Sequence, residues 1–175
     1  HRLHQRGAAH VHGTRAAMAR AALHLPGVGL YVAELLDGQA EAIRRDHQEL
    51  QPEHLLQAFV SAGDPSSAWV PNLLRLSGVE LPALKERLQQ ALKKLPSVTG
   101  GQGQIYASSA FNRLLVLAED EAKRMGDEYV SGEHFLLALL APQFKDTAAG
   151  RILAESGLKK DALTAALQQV RGSSR

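Results

Sequence analysis

Two stretches of this chain decide its fold: QELQPEHLLQAF at residues 48–59 and DEYVSGEHFLLAL at residues 127–139. Each places a Glu-His pair just after a turn signal and runs directly into apolar residues. The two Glu-His pairs lie 80 positions apart. A catalytic site is a convergence of different side chains, whereas a repeated phrase is typical of a duplicated architecture. The pattern therefore favours an internal repeat.

The duplication extends well beyond the Glu-His pairs. When residues 41–59 are aligned with residues 121–139, 7 of the 19 positions are identical. Further along, the offset becomes 79 and Gly78 meets Gly157. Apolar residues recur with a helical period throughout both copies. We therefore predict an all-α fold: a single domain of two tandem four-helix repeats, packed on each other as a pseudo-dimer.

The segment boundaries follow from composition. Residues 1–33 contain four arginines and no acidic residue, and we interpret them as a basic tail, a native extension or an artificial addition. The first repeat is expected at 34–94, a turn-rich linker at 95–107, and the second repeat at 108–174. The folded domain would then cover residues 34–174. Such a chain length suffices to bury about 70% of its unfolded surface.

Helix starts can also be placed from the sequence. A long helix is predicted from about Ser109, a good N-cap, to Gly126. Ser131 is predicted to cap the next helix, and Pro52 occupies a first-turn position in the first repeat.

Composition excludes several classes of function. The chain is 45% hydrophobic and 22% charged, which is typical of a soluble globular protein, and no apolar run approaches the roughly 20 residues of a membrane span. It has no cysteine, which excludes disulfides and cysteine-based metal sites and is compatible with a reducing compartment. Beyond the basic first segment, 16 Lys and Arg stand against 18 Asp and Glu, so we expect no nucleic-acid surface.

No motif indicates catalysis. Metalloproteases carry two His one helical turn apart, whereas His54 and His134 each follow a Glu with no second His nearby. The Glu is expected to favour the positive end of a helix, and the His to form a hydrogen bond at its own turn. The glycines at 100–103 lack the Lys-Ser/Thr of a phosphate loop, and no G-x-S-x-G elbow occurs. We predict a chain without enzymatic activity; the alternative is a metal-dependent enzyme using the five His in residues 1–24.

The difference between the two copies points to a surface for binding. Gln57 of the first repeat corresponds to Leu137 in the second, within the unbroken apolar run 135–141. Val116 and Leu117 similarly widen the apolar stripe of the long helix. A helix that is apolar on every side is either fully buried or offers a surface to a partner. Core packing is the simpler interpretation, but these residues are the best candidates for a binding surface.

Several phrases resemble one known family. The paired "-EH-LL-A-" helices resemble the N-terminal domain of the Clp family of AAA+ unfoldases. The linker LKKLPSVTG at 92–100 is similar to the "L-x-x-L-P-x-V-x-G" phrase of the ClpB disaggregase branch. AAGRIL at 148–153 and QVRG at 169–172 also resemble that branch just before its first ATPase module. One departure is at residues 25–31, where Val28 stands in place of a client-binding Thr.

The resemblance implies a substrate-binding domain rather than a motor. It implies capture of hydrophobic segments of unfolded or aggregated proteins for an ATP-driven hexamer. No cofactor is expected in this chain, with ATP and Mg²⁺ confined to the parent protein. By the resemblance Asp127 and Glu133 handle clients, together with an apolar patch at Leu115 and Leu117. The differences between the two copies add Tyr129 and Leu137 to these candidate substrate-binding residues.

The expected partners follow from the same resemblance. They are unfolded or aggregated clients and the AAA+ modules of the same polypeptide, with neither nucleic acid nor membrane. The isolated domain would be monomeric, its parent a homohexamer, and the location cytoplasmic. The alternatives are an adaptor-docking or helix-docking N-domain of the ClpA, ClpC or ClpV type, or a stand-alone regulator.

Overall fold

Eight α-helices account for most of the chain that the structure, a computed structural model, describes: residues 32–61, 69–98 and 105–173. Four belong to each repeat, so the predicted all-α, two-repeat fold is confirmed. The first repeat contains α1 (Val32–Arg44), α2 (Pro52–Val60), α3 (Trp69–Leu76) and α4 (Leu81–Lys94). The second contains α5 (Ser109–Arg124), α6 (Gly132–Leu139), a short 3-10 turn (Pro142–Phe144), α7 (Ala148–Glu155) and α8 (Lys160–Ser173).

Local sequence accounts for where the helices begin and end. The hydroxyl of Ser108 accepts a hydrogen bond from the Phe111 N–H at 3.0 Å, so the cap of α5 is one residue earlier than the expected Ser109. Gly78 and Gly157 end α3 and α7 with φ of 88° and 92°, which only glycine adopts without strain. The two glycines occupy equivalent positions, as the duplication predicts.

The described parts of the linker between the two repeats lie against the first repeat. Strand β1 (Glu49–Leu50) pairs in parallel with β2 (Tyr106–Ala107). The Tyr106 N–H donates to the Gln48 carbonyl at 2.8 Å. Ser97, near the start of the linker, bridges to His47 in the antiparallel sense. The linker's described parts therefore run along residues 46–50.

A single leucine-rich core joins the two repeats. The rings of Phe59 and Phe135 lie 5.6 Å apart between centroids, across the boundary between repeats. Helix α3 packs against α6 and α8, and α2 packs against α4, α5 and α7. Neither repeat has a core of its own, which confirms one domain rather than two.

Some expectations lie outside the described residues. These include the basic segment apart from its last two positions, the Val28 departure, and the glycines at 100–103. Within the described ranges, no helix is both long and apolar enough to cross a membrane. Over the same ranges, no group of three or more His, Asp or Glu side chains is arranged to hold a metal ion.

Candidate functional site

The two Glu-His pairs each begin a helix, and both histidines are buried caps. His54 Nδ1 accepts a hydrogen bond from the Gln51 N–H at 2.9 Å, and His134 Nδ1 accepts from the Ser131 N–H at 2.7 Å. In each case the imidazole takes the third helical position that Glu or Gln holds in a capping box. The hydrogen bond that we predicted at each repeat's own turn is therefore present.

The second nitrogen of each histidine meets a different partner in the two repeats. Because Nδ1 is an acceptor, the ring proton must lie on Nε2. In the first repeat His54 Nε2 donates to His47 Nδ1 at 2.8 Å; in the second, His134 Nε2 donates to the Asp127 carboxylate at 2.7 Å. His47 and Asp127 are equivalent positions under the offset of 80. The two repeats therefore share the histidine cap, but the partner of the histidine is an imidazole in the first repeat and a carboxylate in the second.

Asp127 also carries the strongest ion pair near this turn. Arg171, in the last turns of α8, binds both carboxylate oxygens of Asp127, at 3.0 and 2.7 Å. This guanidinium holds the pKa of Asp127 below its usual value, with a smaller lowering contribution from the His134 hydrogen bond. The same pair raises the pKa of Arg171. Bidentate pairing of this kind fixes both side chains in one geometry.

Glu133 is nearly buried beside this pair. Its Oε2 accepts from the indole N–H of Trp69 at 3.0 Å and lies 3.9 Å from Arg171. Burial is the main influence on its pKa, which is raised. Its Oε1 has no hydrogen-bond partner among the described residues. The cluster of Asp127, Glu133, His134, Arg171 and Trp69, here the α6 ionic cluster, thus connects α3, α6 and α8.

An open groove lies on the second repeat, where α5, α6 and the start of α8 meet. It has a volume of about 460 Å³. Its apolar lining comes from Leu117 of α5 and from the end of α6 and the following turn, and charged or polar side chains complete it. The lining residues are Leu117, Glu121, Arg124, Leu137, Leu140, Ala141, Pro142, Gln143 and Lys160. This set is called the second-repeat groove.

The structure divides the predicted site residues into three groups. Leu117 and Leu137 line the second-repeat groove, but Leu137 is only 6% exposed and also packs in the core, whereas Leu117 is half-buried. Asp127 and Glu133 belong to the α6 ionic cluster, and Tyr129 is 53% exposed in the turn before α6.

Leu115 packs in the core and is not part of the groove lining. It is only 5% exposed, because it shares the buried face of α5 with Phe111, Leu114 and Ala118. A direct contact of Leu115 with a client would require neighbouring side chains to move away.

Of the nine residues that line the groove, sequence reasoning singled out only Leu117 and Leu137 as site residues. Leu140 lies in the apolar run that we noted, and Pro142 directly follows it, so local sequence could have identified both. Lys160 is distant in sequence, and only the packing of α8 brings it to the groove. Long-range placement of this kind leaves no signal in a single sequence.

These features define a helical double-repeat domain with an apolar groove on one repeat, the architecture of a binding domain. Residues 33–156 match the family model described as the Clp repeat (R) N-terminal domain. The chain belongs to this family.

Similarity to individual relatives agrees with this assignment. The chain is similar to the chaperone protein ClpB of Nitratidesulfovibrio vulgaris, with 39% identity over 144 residues that cover 81% of this chain and 16% of the relative. It is 34% identical to ClpB of Clostridium tetani over 142 residues, which cover 79% of this chain and 16% of that relative. The chain thus spans about one sixth of the length of these relatives.

Solved structures share the fold. The Hsp104 N-terminal domain from Candida albicans has a TM-score of 0.68 at 23% identity, covering 84% of this chain and 92% of that one. The N-terminal domain of the ClpV1 ATPase from E. coli has a TM-score of 0.65 at 21% identity, with 86% and 89% covered. At these identities the likeness establishes the fold alone.

The Asp127–Arg171 pair is expected to contribute to stability. Asp127→Asn and Arg171→Met should each lower the free energy of unfolding by about 2 kcal/mol, because each removes the opposite charge and the bidentate hydrogen bonds from a partly buried ion. The double variant should lose clearly less than the sum, since the two residues share one interaction. Urea unfolding at neutral pH measures all three variants.

The matched control is Arg124→Met. Arg124 pairs with Glu121 at 3.1 Å, but its side chain is 65% exposed. Its loss should cost no more than about 0.5 kcal/mol. An equal cost for Arg124→Met and Arg171→Met, or additive effects of the two cluster variants, would show that the α6 ionic cluster does not stabilise the domain.

Proposed function

We propose that this chain is the N-terminal substrate-binding domain of a ClpB-like disaggregase. It captures hydrophobic segments of unfolded or aggregated proteins and delivers them to AAA+ modules of the same polypeptide. The domain has no enzymatic activity and no cofactor of its own, and ATP and Mg²⁺ act in a hexameric parent in the cytoplasm. The isolated domain is monomeric. The observation that carries the proposal is the apolar second-repeat groove on a domain of the Clp N-terminal family.

A comparison of the two repeats supports a function for the groove. The positions equivalent to Leu117, Leu137 and Ala141 in the first repeat are Asp37, Gln57 and Ser61. Gln57 Nε2 donates to the Ser61 hydroxyl at 2.6 Å, although the buried Gln57 Oε1 has no hydrogen-bond partner among the described residues. Packing within a repeat thus accommodates polar residues at these positions. Leu137 is buried in the core, so its apolar side chain serves packing. Leu117 is only half-buried and stands where the first repeat has the exposed Asp37, so packing does not require an apolar residue there, and an apolar ligand provides a reason for one.

The α6 ionic cluster and Tyr129 have a supporting role in this proposal. Asp127 and Glu133 hold the start of α6, whose later turns supply Leu137 and Leu140 to the groove. Glu133 and Leu137 lie one helical turn apart. Exposed Tyr129 extends the contact surface beyond the groove. Displacing the start of α6 would therefore change the groove as well.

Binding to this groove is expected to be weak and reversible. A flexible client loses conformational freedom when it is ordered on the surface, and association itself carries an entropic cost. A groove with few apolar side chains offsets only part of that cost. Weak binding suits a domain that must release its client to a motor.

Docking of a helix or an adaptor is the second candidate function. One solved structure of this fold, at 22% identity and a TM-score of 0.65, is described as "Peptide from EAEC T6SS Sci1 SciI protein". The N-domain of ClpV1 has the same fold. A short helix with apolar residues on one face would also fit a groove lined by leucines.

The groove is tested with Leu117→Gln and Leu140→Gln, both at half-buried positions. Each should weaken binding of a reduced, alkylated and fluorescently labelled protein about tenfold, because each removes roughly 1.4 kcal/mol of apolar contact. Fluorescence anisotropy measures the affinity, and a thermal melt confirms that each variant is folded.

Val116→Gln is the control, since Val116 is adjacent in α5, 50% exposed and outside the groove lining. Its affinity should stay within about twofold of the wild type. Equal losses in Val116→Gln and Leu117→Gln would place binding elsewhere. Binding of an amphipathic helix without binding of the unfolded protein would favour the second candidate.

A further inference from the structure

The second-repeat groove carries a positive charge that no ion pair among the described residues neutralises. Of its three charged lining residues, Glu121 and Arg124 pair with each other at 3.1 Å. Lys160, at the start of α8, has no carboxylate within 4.0 Å among the described residues. Within the part of the chain that the structure describes, the groove therefore combines an apolar lining with one cation that has no carboxylate partner.

Folding does not explain a lysine at this position. Lys160 is the first residue of α8, and a cation near a helix N-terminus is electrostatically unfavourable. Lys160 is exposed, so it is not required for core packing. Residues Lys159 and Lys160 correspond to Glu80 and Leu81 in the first repeat, under the offset of 79. The charge is therefore specific to the repeat that has the apolar groove.

The nearby acidic residues do not neutralise the charge of Lys160. Asp127 is neutralised by Arg171, and Glu133 is nearly buried with its pKa raised by burial. Glu128 is exposed, but it lies in the turn before α6 and outside the groove lining. The exposed Asp161, next to Lys160 in α8, and the exposed Asp120 of α5 lie outside the groove lining as well. A client in the groove therefore meets apolar side chains and the ammonium group of Lys160, whereas the one carboxylate of the lining, Glu121, is paired with Arg124.

We propose that the groove prefers apolar client segments that carry an acidic residue at one end. The apolar part of the segment packs on the half-buried Leu117 and Leu140, and the buried Leu137 forms the floor of the groove. An Asp or Glu side chain at the end of the segment forms an ion pair with Lys160. This inference rests on the proposed function and adds a selectivity to it, because it specifies which hydrophobic segments bind best.

The test compares three labelled peptides with one apolar core and flanking Glu, Gln or Lys residues. For the wild-type domain at low salt, affinity should fall in the order Glu, Gln, Lys, with about five- to tenfold between the extremes. At about 0.5 M salt the difference should shrink below about twofold, since screening removes interactions between exposed charges. Equal affinities for the three peptides at low salt overturn the proposal.

The variant Lys160→Glu should reverse this order, with the Lys-flanked peptide binding best. The control is Lys85→Glu, which makes the same change of net charge at an exposed position on α4, outside the groove. It should leave the order unchanged. Equal effects of Lys160→Glu and Lys85→Glu would mean that net charge alone is responsible, which also overturns the proposal.

The Gln-flanked peptide separates this inference from the proposed function. If it fails to bind, or if Leu117→Gln does not weaken it, the groove is not the binding site and the proposed function fails. If it binds through Leu117 but the flanking charge has no effect, only the acidic preference is wrong.

Discussion

Lowering the pH from about 7.5 to about 4 is expected to destabilise the wild-type domain by about 3 kcal/mol more than the variant His54→Gln. The cause is the fully buried His54. Burial, with a further contribution from the neighbouring His47, lowers the pKa of His54 from 6.5 to about 4. The unfolded chain therefore takes up a proton at His54 more readily than the folded domain does. The stability from neutral His54 is complete above pH 6.5 and is lost as the pH falls towards 4.

The hydrogen-bond arrangement explains why a proton is rejected. Both nitrogens of His54 are engaged: Nδ1 accepts from the Gln51 N–H, and Nε2 donates to His47. A proton added at Nδ1 would face the donor of Gln51 and break the helix cap. A proton added at His47 Nδ1 would face the donor of His54. The first repeat thus has no site on this pair that can be protonated without losing a hydrogen bond.

Other groups titrate in the same pH range. The contribution of His54 is therefore measured as the difference in free energy of unfolding between the wild type and His54→Gln. Burial also lowers the pKa of His47. The charge of Arg45 lowers this pKa further, whereas the charges of Glu41 and Asp46 raise it. Burial raises the pKa of Glu53 and Glu133, so protonation of these carboxyls stabilises the fold as the pH falls. The pKa values of Glu41 and Asp127 are lowered, so the stability that these carboxylates contribute begins to be lost as the pH falls through their ordinary values of 4.5 and 3.8.

Glutamine is suited to this comparison. Its carbonyl can accept from the Gln51 N–H and its amide can donate to His47, so the cap is kept without a titrating group. Urea unfolding at several pH values between about 7.5 and 4 gives the free energy of both proteins. Parallel pH profiles for the wild type and His54→Gln would contradict the assignment of His54 as a neutral buried cap.

The regular part of this fold could be predicted from sequence because its signals are local. The apolar period identified the helices, and Gly78, Gly126 and Gly157 marked their ends. The repeated Glu-His pair led to the two-repeat architecture. The β1–β2 pairing could not be predicted, because strands of two residues have no periodicity and their register depends on residues more than 50 positions apart.

The candidate site was predictable only in part. Leu137 was identified because it differs from Gln57 in the other copy. The same comparison shows that His47 and Asp127 are equivalent positions. It does not show that they bind the capping histidines, because that contact forms only when the turn before each helix folds back on the helix. Arg171 and Lys160 come from α8 and reach α6 only through tertiary packing. Sequence periodicity reports which face of a helix is apolar, but not which side chain of another helix faces it.

Gly150→Ala is expected to lower the free energy of unfolding by about 3 kcal/mol, at the upper end of the cost of overpacking a core. Gly150 lies buried in α7, in the AAGRIL phrase, where an added Cβ would collide with the carbonyl oxygen of Phe144. That carbonyl accepts from both the N–H and the hydroxyl of Thr147, at 3.0 and 2.6 Å. Because the obstacle is hydrogen-bonded backbone, it cannot move aside as a flexible side chain would.

The effect of Gly150→Ala should appear as a lower urea midpoint with an unchanged slope, since packing and not compactness is altered. Gly172→Ala is the matched control, because Gly172 lies exposed in α8 and an added Cβ there meets no atom within 4 Å. Alanine has the higher helix propensity, so this variant should equal the wild type or gain up to about 1 kcal/mol. If Gly150→Ala behaves like Gly172→Ala, α7 does not approach the backbone of the 3-10 turn as closely as described. If only Gly150→Ala is destabilised, the glycine in this phrase is required by backbone packing within the second repeat.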